Sequence, residues 1–172
     1  MHRQRASYIS GRKSWESKPR LIDKISITEP AADPFTHIGV ALDNSDIDEF
    51  VISRAMSLAK IHKAEITLIH VSDAPGAQVY GENISDEHTR DDIDFISEVA
   101  EILKHQGYNA RSVLKTGQAA QEIIKAVRDE KIDLFIMGSH GHRLIGDMFY
   151  GETVSTVRHN LDVPIMVVKA QA

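Results

Sequence analysis

The chain has 172 residues, a formal net charge of −5, 42% hydrophobic and 26% charged residues, and no cysteine. That is one ordinary globular domain's worth of sequence, and the missing cysteines exclude disulfides, thiolate metal sites and cysteine nucleophiles. No apolar run is long enough to span a bilayer, and the opening MHRQRASYISGRKSWESK lacks the apolar core of a secretory signal, so the expected location is the cytoplasm.

The charge is unevenly spread. Residues 1–24 carry seven Lys/Arg against two Asp/Glu, a balance of +5, whereas residues 25–172 carry −10. An acidic body of this kind argues against nucleic acid as a partner, because binding phosphates needs clustered cations. Residues 1–34 contain Gly11, Pro19, Pro30 and Pro34 with no sustained apolar period and read as a flexible basic arm. Within it, Leu21–Ile27 alternates weakly, enough for an extra strand. The folded domain is expected over residues 35–170.

Its first element is the strand HIGVALD, 37–43. Asn44-Ser45 then opens a helix in which Ile47, Val51, Ala55, Leu58 and Ala59 keep a helical period, and Ser45 with Asp48 matches a capping box in outline. EITLIHV, 65–71, is continuously apolar, as suits a strand covered on both faces. Pro75, Gly76 and Gly81 mark 72–84 as a loop. A helix follows from about Ser85 to His105, with Ile93, Ile96, Ala100 and Leu103 on one face and Gly107 as its stop. NARSVLKT is the third strand, Gly117 turns into a helix carrying Ala120, Ile123, Ile124 and Val127, and DLFIMG, 133–138, is the fourth strand. A helix from about Glu152 to Asn160 and the strand VPIMVVK complete the order. Strict alternation of apolar strands and amphipathic helices predicts an α/β fold, a doubly wound five-stranded parallel sheet that takes ligands beyond the strand C-termini. Asp43, Val71 and Gly138 stand at three such ends.

The most informative stretch is MGSHGHRLIGDMFYGETVSTV, 137–157. Gly138 and Gly141 follow the fourth strand, and Gly151 immediately precedes the last helix. Glycines let backbone N–H groups converge on an anion, and a helix N-terminus adds free donors and partial positive charge, so the pattern suits a phosphate cradle. Arg143, in the cradle loop, is the best placed cation to neutralise a phosphate, with a plain surface role as the alternative.

This segment resembles the universal stress protein family, whose nucleotide-binding members carry Gly-x-x-Gly, nine residues, then Gly followed by Ser or Thr. The glycines match as Gly138, Gly141 and Gly151. IGVALDNSDID resembles the family's opening strand and its aspartate, LIHV its second strand, and DLFIMGSHGH and VPIMVVK its last two. The resemblance covers about residues 35–170. It implies an adenine nucleotide alpha-hydrolase-like fold with strand order 3-2-1-4-5 and ATP or AMP, with Mg where the nucleotide carries it, lying across strands 1 and 4. By the same resemblance Asp43 bonds the ribose, Val71 meets the adenine through its backbone, Met137 helps wall the base, and Gly138, Gly141, Gly151 and the residues just after it hold the phosphates. Here the sequence departs from the pattern: Glu152 stands where the family has Ser or Thr. A carboxylate repels phosphate and competes for the helix N-terminus, leaving Thr153 as the displaced hydroxyl.

Other polar residues fit plainer roles. Asp43 also suits a turn or helix cap. His140 and His142, two apart in a loop without a carboxylate set, fit loop residues better than metal ligands. His70 fits a satisfied core residue, His62, His88 and His105 a helix surface, and Asp91, Asp92 and Asp94 a solvated helix start. Gly-Ser-His-Gly differs from the Gly-x-Ser-x-Gly nucleophile elbow, and no catalytic residue or metal ligand is assigned.

The leading expectation is a regulatory module of the universal stress protein type that binds ATP or another adenine nucleotide, without efficient catalysis. The resemblance also implies a homodimer through the last strand, where Ile165, Val167 and Val168 make the edge apolar. Three alternatives stay open: an interaction domain that binds no nucleotide; a soluble regulatory domain attached to a membrane transporter, the basic arm then lying next to the membrane; and a slow nucleotide hydrolase.

Overall fold

Strands and helices alternate along residues 34–72, 87–139 and 152–169, which the computed structural model describes. The elements are β1 (His37–Ala41), α1 (Asp48–His62), β2 (Glu65–Ser72), α2 (Glu87–His105), β3 (Ala110–Thr116), α3 (Ala119–Asp129), β4 (Leu134–Gly138), α4 (Glu152–Asn160) and β5 (Ile165–Val168). The predicted arm except Pro34, and the predicted loop at 72–84 except Ser72, which instead ends β2, lie outside the described residues.

All strand pairs are parallel, and the five-stranded sheet has the order β3-β2-β1-β4-β5. The chain winds outward from β1 through β2 to β3, then crosses to β4 and β5 on the other side of β1. Strand order therefore reverses between β1 and β4, the place where open α/β sheets form a crevice for ligands.

Side-chain alternation builds two cores. Ile38, Val40, Leu42, Ile66, Leu68, Leu134 and Ile136 point to the face covered by Val51, Ala55 and Ala59 of α1 and Ile96, Ala100 and Leu103 of α2. Ile69, Phe135 and Met137 point to the opposite face, against Ile123, Ala126 and Val127 of α3 and Val154 and Val157 of α4. The continuous apolar run in β2 is thus explained, since Ile66, Leu68 and Ile69 are all wholly buried. On the second face Gly39 leaves room for Ile132, whose Cδ1 would stand 2.5 Å from any Cβ added there.

Local stops follow chain chemistry. Gly107, at φ 88°, closes α2. Its N–H donates to the Lys104 carbonyl at 2.9 Å and that of Tyr108 to the Leu103 carbonyl at 3.1 Å, the paired bonds of a Schellman turn.

Candidate functional site at the β1 and β4 strand ends

The register between β1 and β4 sets Val40 opposite Ile136, so Asp43 and Ser139, each three residues further on, leave the sheet at the same end of the crevice. Gly138 is the last residue of β4, and the Ser139 N–H donates to the Val168 carbonyl at 2.8 Å, tying the strand end to β5. Ser139 is buried. Met137 is buried and Val71 half-buried, both on the α3/α4 side of the sheet. Glu152 is the exposed first residue of α4, with its charge in the first helical turn, and Thr153 beside it is half-buried. Gly141, Arg143 and Gly151, with His140 and His142, lie outside the described residues.

The turn after β1 is the best defined part of the crevice. Asn44 takes a left-handed conformation, φ 60°, which folds the chain back towards α1. The Asp48 carboxylate then accepts from the backbone N–H groups of Asp43 (3.2 Å), Asn44 (2.8 Å) and Ser45 (3.3 Å). The Ser45 hydroxyl donates to Oδ1 of Asp43. The predicted capping box is therefore half formed. Asp48 reaches back to the Ser45 N–H as the motif requires, while the Ser45 side chain turns to Asp43. Helix α1 starts at Asp48, with Ile47 in the capping position.

Asp48 is 6% exposed. Burial and, after it, the charge of Asp43 push its carboxyl up to about 6, against the opposing pull of the three backbone N–H bonds. The sequence shows Asp48 only as a capping partner. The signal that marks it as inward-facing is its position one turn before Val51 and Ile52, on the apolar side of α1.

His70 braces the same turn from β2. Its Nδ1 lies 2.8 Å from the Leu42 carbonyl, its Nε2 3.2 Å from Oδ1 of Asp92, and its ring packs edge-on to Phe95. The expectation of a satisfied core histidine holds. Asp92 departs from its predicted place on a solvated helix start: it is half-buried and paired, whereas Asp91 and Asp94 are exposed. The reason is tertiary, since only packing of α2 on β2 brings the two together. His62 is likewise more than a surface residue, because its Nδ1 accepts from the Phe35 N–H at 3.3 Å and its ring packs on Phe35.

A second polar group sits at the opposite, N-terminal end of the sheet. His37 is buried between Oγ1 of Thr67 (2.7 Å) and Oε1 of Glu65 (3.2 Å), and Arg111 bonds Glu130 at 2.6 Å. The bond from Arg111 holds the Glu130 carboxyl below its usual range. Burial pushes Asp133 up, but bonds from Thr36 and the His37 N–H outweigh it and its carboxyl is lowered. These groups lock the strand starts and stand away from the crevice. Among the described residues there is no cluster of His, Cys, Asp or Glu able to hold a metal and no helix long and apolar enough to cross a membrane.

A doubly wound α/β domain with an acidic strand-end turn at its switch point defines the class, and the comparisons supply the family. The sequence model of the universal stress protein family matches residues 34–169. The chain belongs to the universal stress protein family. Universal stress protein YxiE of Bacillus subtilis is 24% identical over 147 residues, covering 78% of this chain and 99% of that protein. The solved structure of MJ0577, a universal stress protein of Methanocaldococcus jannaschii, superposes with a TM-score of 0.71 at 22% identity, over 81% of this chain and 99% of its own. A universal stress protein from Archaeoglobus fulgidus, solved in complex with dAMP, gives a TM-score of 0.60 at 18% identity, over 78% and 98% of the two chains. At such identities the structural likeness speaks for the fold.

Proposed function

We propose that this protein is a regulatory module that binds an adenine nucleotide, ATP or AMP, in the crevice between the C-terminal ends of β1 and β4. The observation that carries the reading is the Asp43 carboxylate, half-buried at the topological switch point with Oδ1 taken by Ser45. Its other oxygen has no hydrogen-bond donor among the described residues and suits a ribose hydroxyl. The dAMP complex of the Archaeoglobus fulgidus relative supports the ligand class. In this reading Val71 offers backbone groups to the base, Met137 backs it from the core, and Gly138, Gly141, Arg143, Gly151 and Thr153 surround the phosphates, Mg arriving with the nucleotide. The role is binding and signalling in the cytoplasm, with residues 1–34 as a basic arm ahead of the domain.

The test is nucleotide released on denaturing the freshly purified protein, followed by calorimetric titration of wild type and Asp43→Ala. Losing a charge-assisted bond to a ribose hydroxyl should weaken AMP about tenfold or more. A wild type that neither carries nor titrates adenine nucleotide would sink the reading. One observation favours a second reading, an interaction domain without nucleotide: Glu152 sets a negative charge in the first turn of α4, where phosphate would sit.

The module is proposed to act as a homodimer through β5. The carbonyls of Pro164 and Val168 accept from Phe135 and Ser139, so by alternation the backbone groups of Ile165 and Val167 point away from β4, towards an edge that no strand among the described residues covers and that a second copy could pair with. Val167 itself packs half-buried on the second core, so a charged side chain there would disturb the monomer as well. Val167→Pro instead deletes one outward donor. Sedimentation should show a dimeric wild type and a monomeric variant, and a monomeric wild type at high concentration would refute the assembly.

A further inference from the structure

The backbone from Leu42 to Ser45 is held at every donor. Leu42 N–H donates to the Ile69 carbonyl at 3.0 Å, and the next three N–H groups converge on the one carboxylate of Asp48. On the other side of the chain the Leu42 carbonyl meets the His70 ring, itself tied to Asp92. Three successive N–H groups aimed at one point form a concavity that binds anions. This chain fills it with its own buried side chain.

The choice of residue is informative. All three N–H groups reach Oδ2, and that of Asp43 also reaches Oδ1 at 3.4 Å. A charged carboxylate oxygen draws donors together more strongly than a neutral Ser or Thr hydroxyl does. Burying the charge carries a desolvation penalty, and it is set beside a second carboxylate, Asp43, which repels it. A helix start alone needs no such arrangement, since an exposed Ser or Asn caps it as well. The arrangement does fix one thing: the backbone that carries Asp43, together with the Ser45 hydroxyl that orients the Asp43 carboxylate.

We infer that Asp48 is the positioning residue for sugar recognition: by gathering the 43–45 N–H groups it holds Asp43 so that its second oxygen, the one Ser45 does not take, meets the ribose hydroxyls of the nucleotide. The inference rests on the nucleotide-binding reading above. It makes Asp48 act through Asp43 alone, leaving the base and phosphate contacts untouched.

That separation gives the test. AMP and 2′,3′-dideoxyadenosine monophosphate share base and phosphate and differ only in the ribose hydroxyls, so the ratio of their dissociation constants reads Asp43 directly. Wild type should prefer AMP by about tenfold, as expected for a hydrogen bond to a charged group. Asp48→Ala should reduce that preference to about threefold or less while leaving the dideoxy compound bound within about twofold of wild type. Asp48→Asn has the same shape but a neutral acceptor oxygen in place of the charged one, so its ratio should fall between the two. It also keeps the test decisive if Asp48→Ala does not fold. Equal weakening of both ligands, or an unchanged ratio in the variants, would show a merely structural residue and overturn the inference. A wild type that binds neither compound is a different result, because it removes the nucleotide-binding reading itself.

Discussion

Unfolding free energy should rise by about 1 kcal/mol between about pH 7 and pH 5 through Asp48 alone, and Asp48→Asn should lack this increment. The folded carboxyl sits at about 6 against an ordinary value of 3.8, so over this interval the native state binds more protons than the unfolded chain. Stability then falls as pH rises. The contribution is complete below the unfolded value, at about 3 kcal/mol, and is lost as pH rises through the folded one. Its causes are burial first and the charge of Asp43 second. Glu49 and Lys60 of α1 line the same hollow with Phe95 of α2, while His70 and Asp92 brace the far side of the turn. Glu130 and Asp133, with lowered carboxyls, act in the opposite sense and lose their stabilisation as pH falls through their folded values. They titrate below the interval in question, so the difference between wild-type and Asp48→Asn denaturation curves isolates Asp48. Parallel curves for the two proteins from pH 7 to pH 5 would mean that Asp48 titrates as an ordinary exposed carboxylate.

Glu152→Ser should tighten ATP about fivefold and help AMP less. Glu152 is the first residue of α4, immediately after Gly151 in sequence, so in the proposed nucleotide-binding mode its charge would lie beside the phosphates. One unit charge about 4 Å from another at an effective dielectric near 20 contributes on the order of 4 kcal/mol of repulsion before screening and relaxation. Since Glu152 is exposed, most of that is screened, and about a quarter survives as about 1 kcal/mol, or about fivefold in affinity. The repulsion scales with phosphate charge, which is why ATP gains more than AMP. Calorimetry of both proteins with both nucleotides decides the matter. Wild-type protein that already binds ATP much more tightly than AMP, with neither value moved by the substitution, would mean that the carboxylate points away from the phosphates.

Both predictions turn on acidic residues at helix starts, and the two were unequally legible. Glu152 stands out in the sequence because three glycines frame the position it occupies. Asp48 does not, because a capping-box spacing states which backbone group a side chain can reach but not whether water reaches it too. Its neighbour in effect, the His70–Asp92 pair, joins residues 22 apart on different elements, and no local spacing encodes that contact.

By itself the sequence determined the element order, the parallel sheet, the approximate ends of each described strand and helix, and the placing of Asp43 and Gly138 at strand ends. Those properties follow from short-range periodicity and from the handedness of β-α-β connections. The strand order 3-2-1-4-5 came through likeness to a family, and strand pairing bears it out. The tertiary structure alone decided which carboxylates are solvated and which are buried. Asp91 and Asp94 face water while Asp92, between them in sequence, pairs with a buried histidine; Asp46 is exposed while Asp48 is enclosed. Solvation depends on what the rest of the chain packs over a residue, and that sets the charge state of the turn that carries Asp43.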